Sequence, residues 1–216
     1  MTEPLLTVVT AAAGYDLVDL ATVKDELGIT NTTSDAKLTR WIAAISARIA
    51  GACNRVFPEE ELTDTFRRHT ASRVWGGLHH DPRPLLLSRA PVTVLDSVTI
   101  DGVAQDSGDR ELDSRTGEIW CLSSGKRVRW GGQTIVVAYS AGYYPIPYDL
   151  QEAALVMIRH RWAQGNRDPQ MRSFSIDGVG SEAYWVPSGG GAPGELPPDL
   201  QPIADVIEVY RRRAFA

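Results

Sequence analysis

Cys53-Asn54-Arg55-Val56-Phe57-Pro58 is where the character of the chain changes. Upstream, Leu38, Ile42, Ile45, Ile49, Ala52 and Val56 are spaced 4, 3, 4, 3 and 4, the seam of an amphipathic helix, with Lys37, Arg40 and Arg48 left to the outside. Downstream of Leu62 the period shortens, and Thr63, Thr65, Val92, Val94, Val98, Thr99 and Ile100 supply β-branched character between Gly, Pro and Asp punctuation. After Ser140-Ala141-Gly142-Tyr143 the helical pattern returns. The expected fold is therefore α+β: a small bundle of about four helices, carrying an inserted antiparallel sheet or small barrel. The expected division is a helical domain over 1–60 and 141–216 and a β domain over 61–140.

Working outward, Asp19 is an N-cap candidate for a short helix over Leu20 to Leu27, which Gly28 is placed to end. Leu20, Val23 and Leu27 share its apolar face. Within the β stretch, Asp101-Gly102 reads as a tight turn between Ser97 to Ile100 and Val103 to Gln105. Further strands are expected at Arg110 to Asp113, Glu118 to Leu122, Arg127 to Trp130 and Thr134 to Tyr139, with turns at Thr116-Gly117 and Ser124-Gly125. Pro145-Ile146-Pro147 introduces a helix to Gln164 that is apolar around most of its circumference and is expected at the centre of the bundle. Residues 165–197 show no sustained period, contain Tyr184-Trp185 and a Gly-rich run, and read as a long partner-binding loop, with Met171 to Gly194 mobile in a free monomer. Pro198 opens a last helix with Leu200, Ile203, Ile207 and Tyr210 on one face, ending in Arg211-Arg212-Arg213.

Composition narrows the function classes. The 216 residues, 43% hydrophobic and 23% charged, suffice for a buried core. The longest uninterrupted apolar run, Ala153 to Ile158, is far shorter than the roughly 18 to 20 residues of a membrane span, so no membrane partner is expected. The opening Met1-Thr2-Glu3-Pro4 lacks the basic start of an export signal, and the expectation is a soluble, cytosolic chain. Cys53 and Cys121 lie far apart in sequence and read as small core residues rather than a disulfide or metal pair. A formal charge of −5 argues against bulk coating of nucleic acid. The basic residues are 19 Arg and 3 Lys, a bias that a GC-rich genome or Arg's bidentate interface chemistry would each produce.

Catalytic and cofactor signals are absent from the sequence. His79-His80-Asp81 lacks a second ligand at a workable spacing, and His69 and His160 are isolated, so no metal is expected. No nucleophile elbow, Walker-type loop, zincin helix or dinucleotide-binding turn stands in a suitable context, so neither catalytic residues nor cofactor are assigned. Charge distribution is more informative. Asp96, Asp101, Asp106, Asp109, Glu111, Asp113 and Glu118 face only Arg110 and Arg115, whereas Arg159, Arg161, Arg167 and Arg172 face only Asp168. These are either solvated faces or the two ends of a polar molecule that meets different partners.

Leu17 to Ile29, Asp35-Ala36-Lys37-Leu38 and Ile45 to Phe57 resemble the opening of the head–tail connector (head-completion adaptor) proteins of long-tailed bacteriophages. Arg89-Ala90-Pro91-Val92, Tyr139-Ser140-Ala141-Gly142-Tyr143, Pro147-Tyr148-Asp149-Leu150 and Tyr210-Arg211-Arg212 extend the likeness in order along nearly the whole chain. The resemblance implies a structural, non-enzymatic protein of the virion neck, made in the host cytoplasm. It would form a ring, usually a dodecamer, beneath the portal protein and above a stopper or tail-completion protein, close to genomic DNA in the channel. Another neck or stopper protein, or a ligand-binding β module on a helical base, are the rival readings. On the adaptor reading, Arg159, Arg161, Arg167, Arg172, Tyr184, Trp185, Tyr210, Arg211, Arg212 and Arg213 are candidates for portal or subunit contact. Asp101, Asp106, Asp109, Glu111 and Asp113 are candidates to face the channel, where like charge would keep phosphates from adhering.

Overall fold

A computed structural model describes residues 4–67, 82–165, 173–176, 180–183 and 196–212. The chain divides into two compact units, one of residues 1–14 and 56–145 and one of residues 15–55 and 146–216.

The first unit is built on an antiparallel sheet of five strands, β1 (Leu5–Thr10), β2 (Glu60–Arg67), β9 (Thr134–Ala141), β4 (Val92–Ile100) and β5 (Val103–Ala104), in that spatial order. A second sheet is centred on β7 (Glu118–Ser123), which pairs with β6 (Arg110–Asp113), β3 (Leu85–Leu86) and β8 (Lys126–Val128). Strict alternation explains the register of the long strands. In β2, Glu60, Leu62, Asp64 and Phe66 are buried; in β9, Ile135, Val137, Tyr139 and Ala141 are. Apart from Glu60 and Asp64, these residues meet Val92, Val98, Leu87, Ile119 and Trp130 in one core, so the two sheets share a single hydrophobic interior. The sheet is open, not a closed barrel: β1 and β5 stand at its two edges. Asp101 (φ 50°) with Gly102 (φ 84°), and Ser124 (φ 52°) with Gly125 (φ 74°), form the tight turns read from the sequence. The strand expected at Arg127 to Trp130 is Lys126–Val128, and Trp130 leaves the ladder to enter the core.

Leu5–Thr10 is a correction to the sequence division, which had placed it with the helices. It pairs with β2 from Leu5↔Thr65 to Thr10↔Glu61, and 56–60 and 141–145 likewise belong to the β unit.

The second unit contains α1 (Leu20–Glu26), α2 (Asp35–Cys53), α3 (Tyr148–Gly165) and α4 (Ala204–Tyr210), the last preceded by a 3-10 segment at Pro198–Ile203. Asp19 caps α1, its Oδ1 accepting from Thr22 N at 2.7 Å, and Gly28 (φ 65°) follows its end. Ser34 gives α2 no side-chain cap, so packing holds this helix. Leu38, Ile42, Ile45 and Ile49 are buried, each worth about 1.5–3 kcal/mol against the ~1 kcal/mol of a cap. The seam departs from the expected one at its end. Asn54 turns left-handed (φ 49°) and stops the helix, so Cys53 takes the last buried position, while Ala52 is only half-buried and Val56 lies beyond the helix. Trp41 and Ser46 join the buried face, and Ser46 Oγ accepts from Leu17 N at 3.0 Å. Helix α3 contacts α1, α2 and α4, the central place expected of it. No described helix is long and apolar enough to cross a membrane. Ser173–Ile176 and Gly180–Ala183 pair antiparallel as β10 and β11, within the stretch expected as a long loop. The remainder of that loop, with its expected mobility, lies outside the described residues.

Candidate interaction surfaces

In the helical unit, two arginines within one turn of α3 are used differently. Arg159 reaches Glu26 of α1 through Nη1 and Glu152 through Nη2, each at 2.8 Å. Its charge is matched and its work is to brace two helices. Arg161 instead lies over the Trp41 ring, 4.8 Å from its centroid. Lys37 sits 4.6 Å from the same ring and 5.2 Å from that of Trp162, and the two tryptophans meet edge-on at 6.2 Å. Trp41 is buried, whereas Lys37 and Arg161 are exposed and have no carboxylate partner among the described residues. The result is a paired cationic spot whose side chains are held against a rigid aromatic base, suited to an acidic partner surface.

At the other end of α3, Tyr210 donates to the Asp149 carboxylate at 2.9 Å and ties α4 to the start of α3. Arg212 N donates to Cys53 O at 2.9 Å, so the chain after α4 satisfies a carbonyl at the end of α2. Arg211 is exposed and Arg212 half-buried. Burial pushes the Cys53 thiol up to about 11, partly offset by Arg55 and Arg211. Arg167, Arg172, Tyr184, Trp185 and Arg213 lie outside the described residues, as do His69, His79 and His80.

The five acidic candidates of the β unit are all exposed, but three are engaged locally. Asp101 Oδ1 accepts from Gln133 N at 2.9 Å and Thr134 N at 2.8 Å, fixing the turn into β9. Glu111 is bidentate with Arg127 at 2.8 and 2.9 Å, which holds its carboxyl below the usual range; Arg127 also covers Trp120 at 4.2 Å. Asp113 accepts from Thr116 N and Arg115 N, and these bonds depress it too. Asp106 and Asp109 form no such side-chain bonds among the described residues. Cys121 is half-buried and its thiol is raised by burial and then by Asp109. Among the described residues no three ligating side chains gather to hold a metal.

Within the β unit, two of the motifs converge. Tyr139 hydroxyl donates to the buried Asp64 at 2.9 Å and accepts from Arg89 N at 3.2 Å, and Gly142 N donates to Pro91 O at 2.9 Å. Tyr143 N donates to Phe57 O at 2.7 Å, beside a ring contact of 6.2 Å between the two residues. The Arg89-Ala90-Pro91-Val92 and Tyr139-to-Tyr143 motifs therefore form one joint of the fold. The Lys37, Trp41 and Trp162 spot was missed from sequence, although Lys37 and Trp41 stand at i and i+4 of a helix, a spacing that brings side chains together.

The family model described as head completion protein matches residues 16–179, spanning parts of both units. Among solved structures, the chain is similar to one in the neck of an empty gene transfer agent particle computed with C6 symmetry, at 17% identity and a TM-score of 0.56, covering 98% of this chain and 97% of the other. It is similar with the same coverage to a chain of the native particle's neck computed with C12 symmetry (17%, TM-score 0.54) and to one from the native virion (19%, TM-score 0.54). No curated protein matches the chain. With three quarters of its length matched, the chain belongs to the head completion protein family, the head–tail connectors that its motifs resemble.

Proposed function

We propose that this head completion protein forms a ring, of twelve copies in the particle, at the neck of a phage-like virion, where it joins the DNA-filled head to the tail and surrounds the DNA channel. The carrying observation is the family match across residues 16–179; the end-to-end likeness to chains of symmetric necks supports the ring. The role is structural, not catalytic. The portal protein lies on one side of the ring and a stopper or tail-completion protein on the other. Identical copies closing a ring use heterologous contacts, one face of a subunit meeting a different face of the next.

Within this reading the helical unit makes the portal contact, and the Lys37 and Arg161 spot is its electrostatic anchor. The exposed carboxylates of 101–113 face the channel; Glu111 is offset by its bidentate Arg127, so the repulsion of phosphate falls to the aspartates, above all Asp106 and Asp109, which have no side-chain partner among the described residues. Electron microscopy of the purified chain with and without portal is the test. A ring seated on the portal is expected. A monomer that ignores the portal overturns the reading, and an assembled map with these carboxylates on the outer rim overturns the channel assignment.

A further inference from the structure

Of the nine large hydrophobic side chains most exposed among the described residues, five lie at the two edges of the five-stranded sheet: Leu5, Val8 and Val9 on β1, Val94 on β4 and Val103 on β5. Strand β1 reads Leu-Leu-Thr-Val-Val-Thr, with neither a charge nor a proline to block pairing; its ladder with β2 is regular from Leu5 to Val8 and bulges at Val9. Its Leu5 and Val9 are 61% and 63% exposed. An uncharged apolar edge of this kind is a template for another strand. The opposite edge has a matching gap. Strand β5 covers β4 only at Thr99 and Ile100, Gln105 N occupies Val98 O, and Val92 N is taken by Ser114 O. Between these ends, residues 93–97 of β4, bulged at Thr93 and Asp96 where they pair with β9, have no strand on their other side among the described residues. Five residues of strand span about 17 Å, which six-residue β1 can cover.

We propose that β1 of one copy adds to β4 of the next, extending the sheet from subunit to subunit; this rests on the ring reading above and names its contact. Strand direction supports a second copy as the occupant. Each of the pairs β1·β2, β2·β9 and β9·β4 is antiparallel, so β1 and β4 run in opposite directions. A neighbour's β1 laid against β4 with the sheet faces continuous therefore forms another antiparallel pair. Because the two edges are different surfaces of one chain, the contact is heterologous, as ring closure requires. Main-chain hydrogen bonds would supply the affinity, while Val8, Val9 and Val94 would leave water.

Disulfide trapping tests it on the full chain assembled with portal, with the parent, containing Cys53 and Cys121, as background. Thr7→Cys is combined in turn with Thr93→Cys, Val94→Cys and Asp96→Cys. At least one double variant should give a ladder of trimers and larger species on oxidation, with each single variant no more cross-linked than the parent. Dimers from Thr7→Cys alone would mean β1 pairs with β1 and would overturn the proposal. Rings without a ladder in any double variant would overturn it while leaving the ring intact, and a failure to form rings with the parent chain would remove both. Val9→Lys, at an exposed position, should abolish rings with the monomer's melting temperature unchanged; rings that persist count against the contact.

Discussion

Tyr139 on β9 and Asp64 on β2 are both fully buried, and the phenol donates to the carboxylate at 2.9 Å in the middle of the β unit. Asp64 also accepts from Ser88 N at 2.6 Å and Ser88 Oγ at 2.7 Å, so three donors satisfy it. Burial, and then the Asp64 charge, raise the Tyr139 hydroxyl well above its ordinary value and keep it a donor. Tyr139→Phe removes one of the three donors and the acceptor for Arg89 N. It should cost about 1–3 kcal/mol in denaturant unfolding, with the fold retained. An unchanged midpoint would show that the hydroxyl contributes nothing.

Gly142 has a φ of 132°, and a Cβ there would stand 2.5 Å from Pro58 O and 2.6 Å from Glu59 Cα. Both obstacles are backbone and neither can rotate away. Gly142→Ala combines this clash with backbone strain that alone costs roughly 1–3 kcal/mol, so the loss should reach about 3 kcal/mol or more. Thermal unfolding of the variant measures it; a drop in melting temperature no larger than that of Gly14→Ala, where a Cβ meets open space, would refute the account.

Much of this fold was legible where its causes are local. The Asp19 cap, the Asp101-Gly102 turn and the alternation of β9 each depend on residues within a few positions of one another. Strand β1 was not legible because an edge strand exposed on both faces has no alternation to read. The end of α2 was misread because Asn54 is left-handed, which the apolar spacing through Val56 does not reveal. For the surfaces, counting charges located Arg159 and Arg161 but could not separate them. One partner of Arg159 is Glu26, 133 positions away, and that of Arg161 is a ring on another helix.

The Cys53 thiol gives a pH dependence of defined sign. Its folded value, about 11, lies above the unfolded one, so between the two the folded state holds the proton more tightly. Stability from this group is complete below about pH 8.5 and is lost as pH rises toward 11, with a slope no steeper than roughly 1.4 kcal/mol per pH unit. Denaturant titrations between pH 8 and 10.5 should show the fall, and Cys53→Ala should flatten it from a lower starting stability. The thiol should also resist a disulfide reagent at pH 8 until the chain unfolds. Equal slopes in parent and variant would assign the effect elsewhere.

Lys37 and Arg161 should separate binding from stability. Each cation is itself exposed and rests on the buried Trp41 ring, an arrangement worth about 0.5–1 kcal/mol to the fold. Neither is needed to satisfy a carboxylate among the described residues, so the double change Lys37→Gln with Arg161→Gln should move the melting temperature little. On an acidic portal surface it removes both anchoring charges, and affinity should fall at least tenfold, about 1.4 kcal/mol, with a weaker salt dependence. Arg159→Gln is the contrasting case: it breaks two partly exposed ion pairs, costs under about 1 kcal/mol of stability and leaves portal affinity unchanged. Surface-captured portal with each variant as analyte, at two salt concentrations, reads all three. Equal losses for Arg159→Gln and the double variant would mean that general charge, not the tryptophan-backed spot, governs the contact.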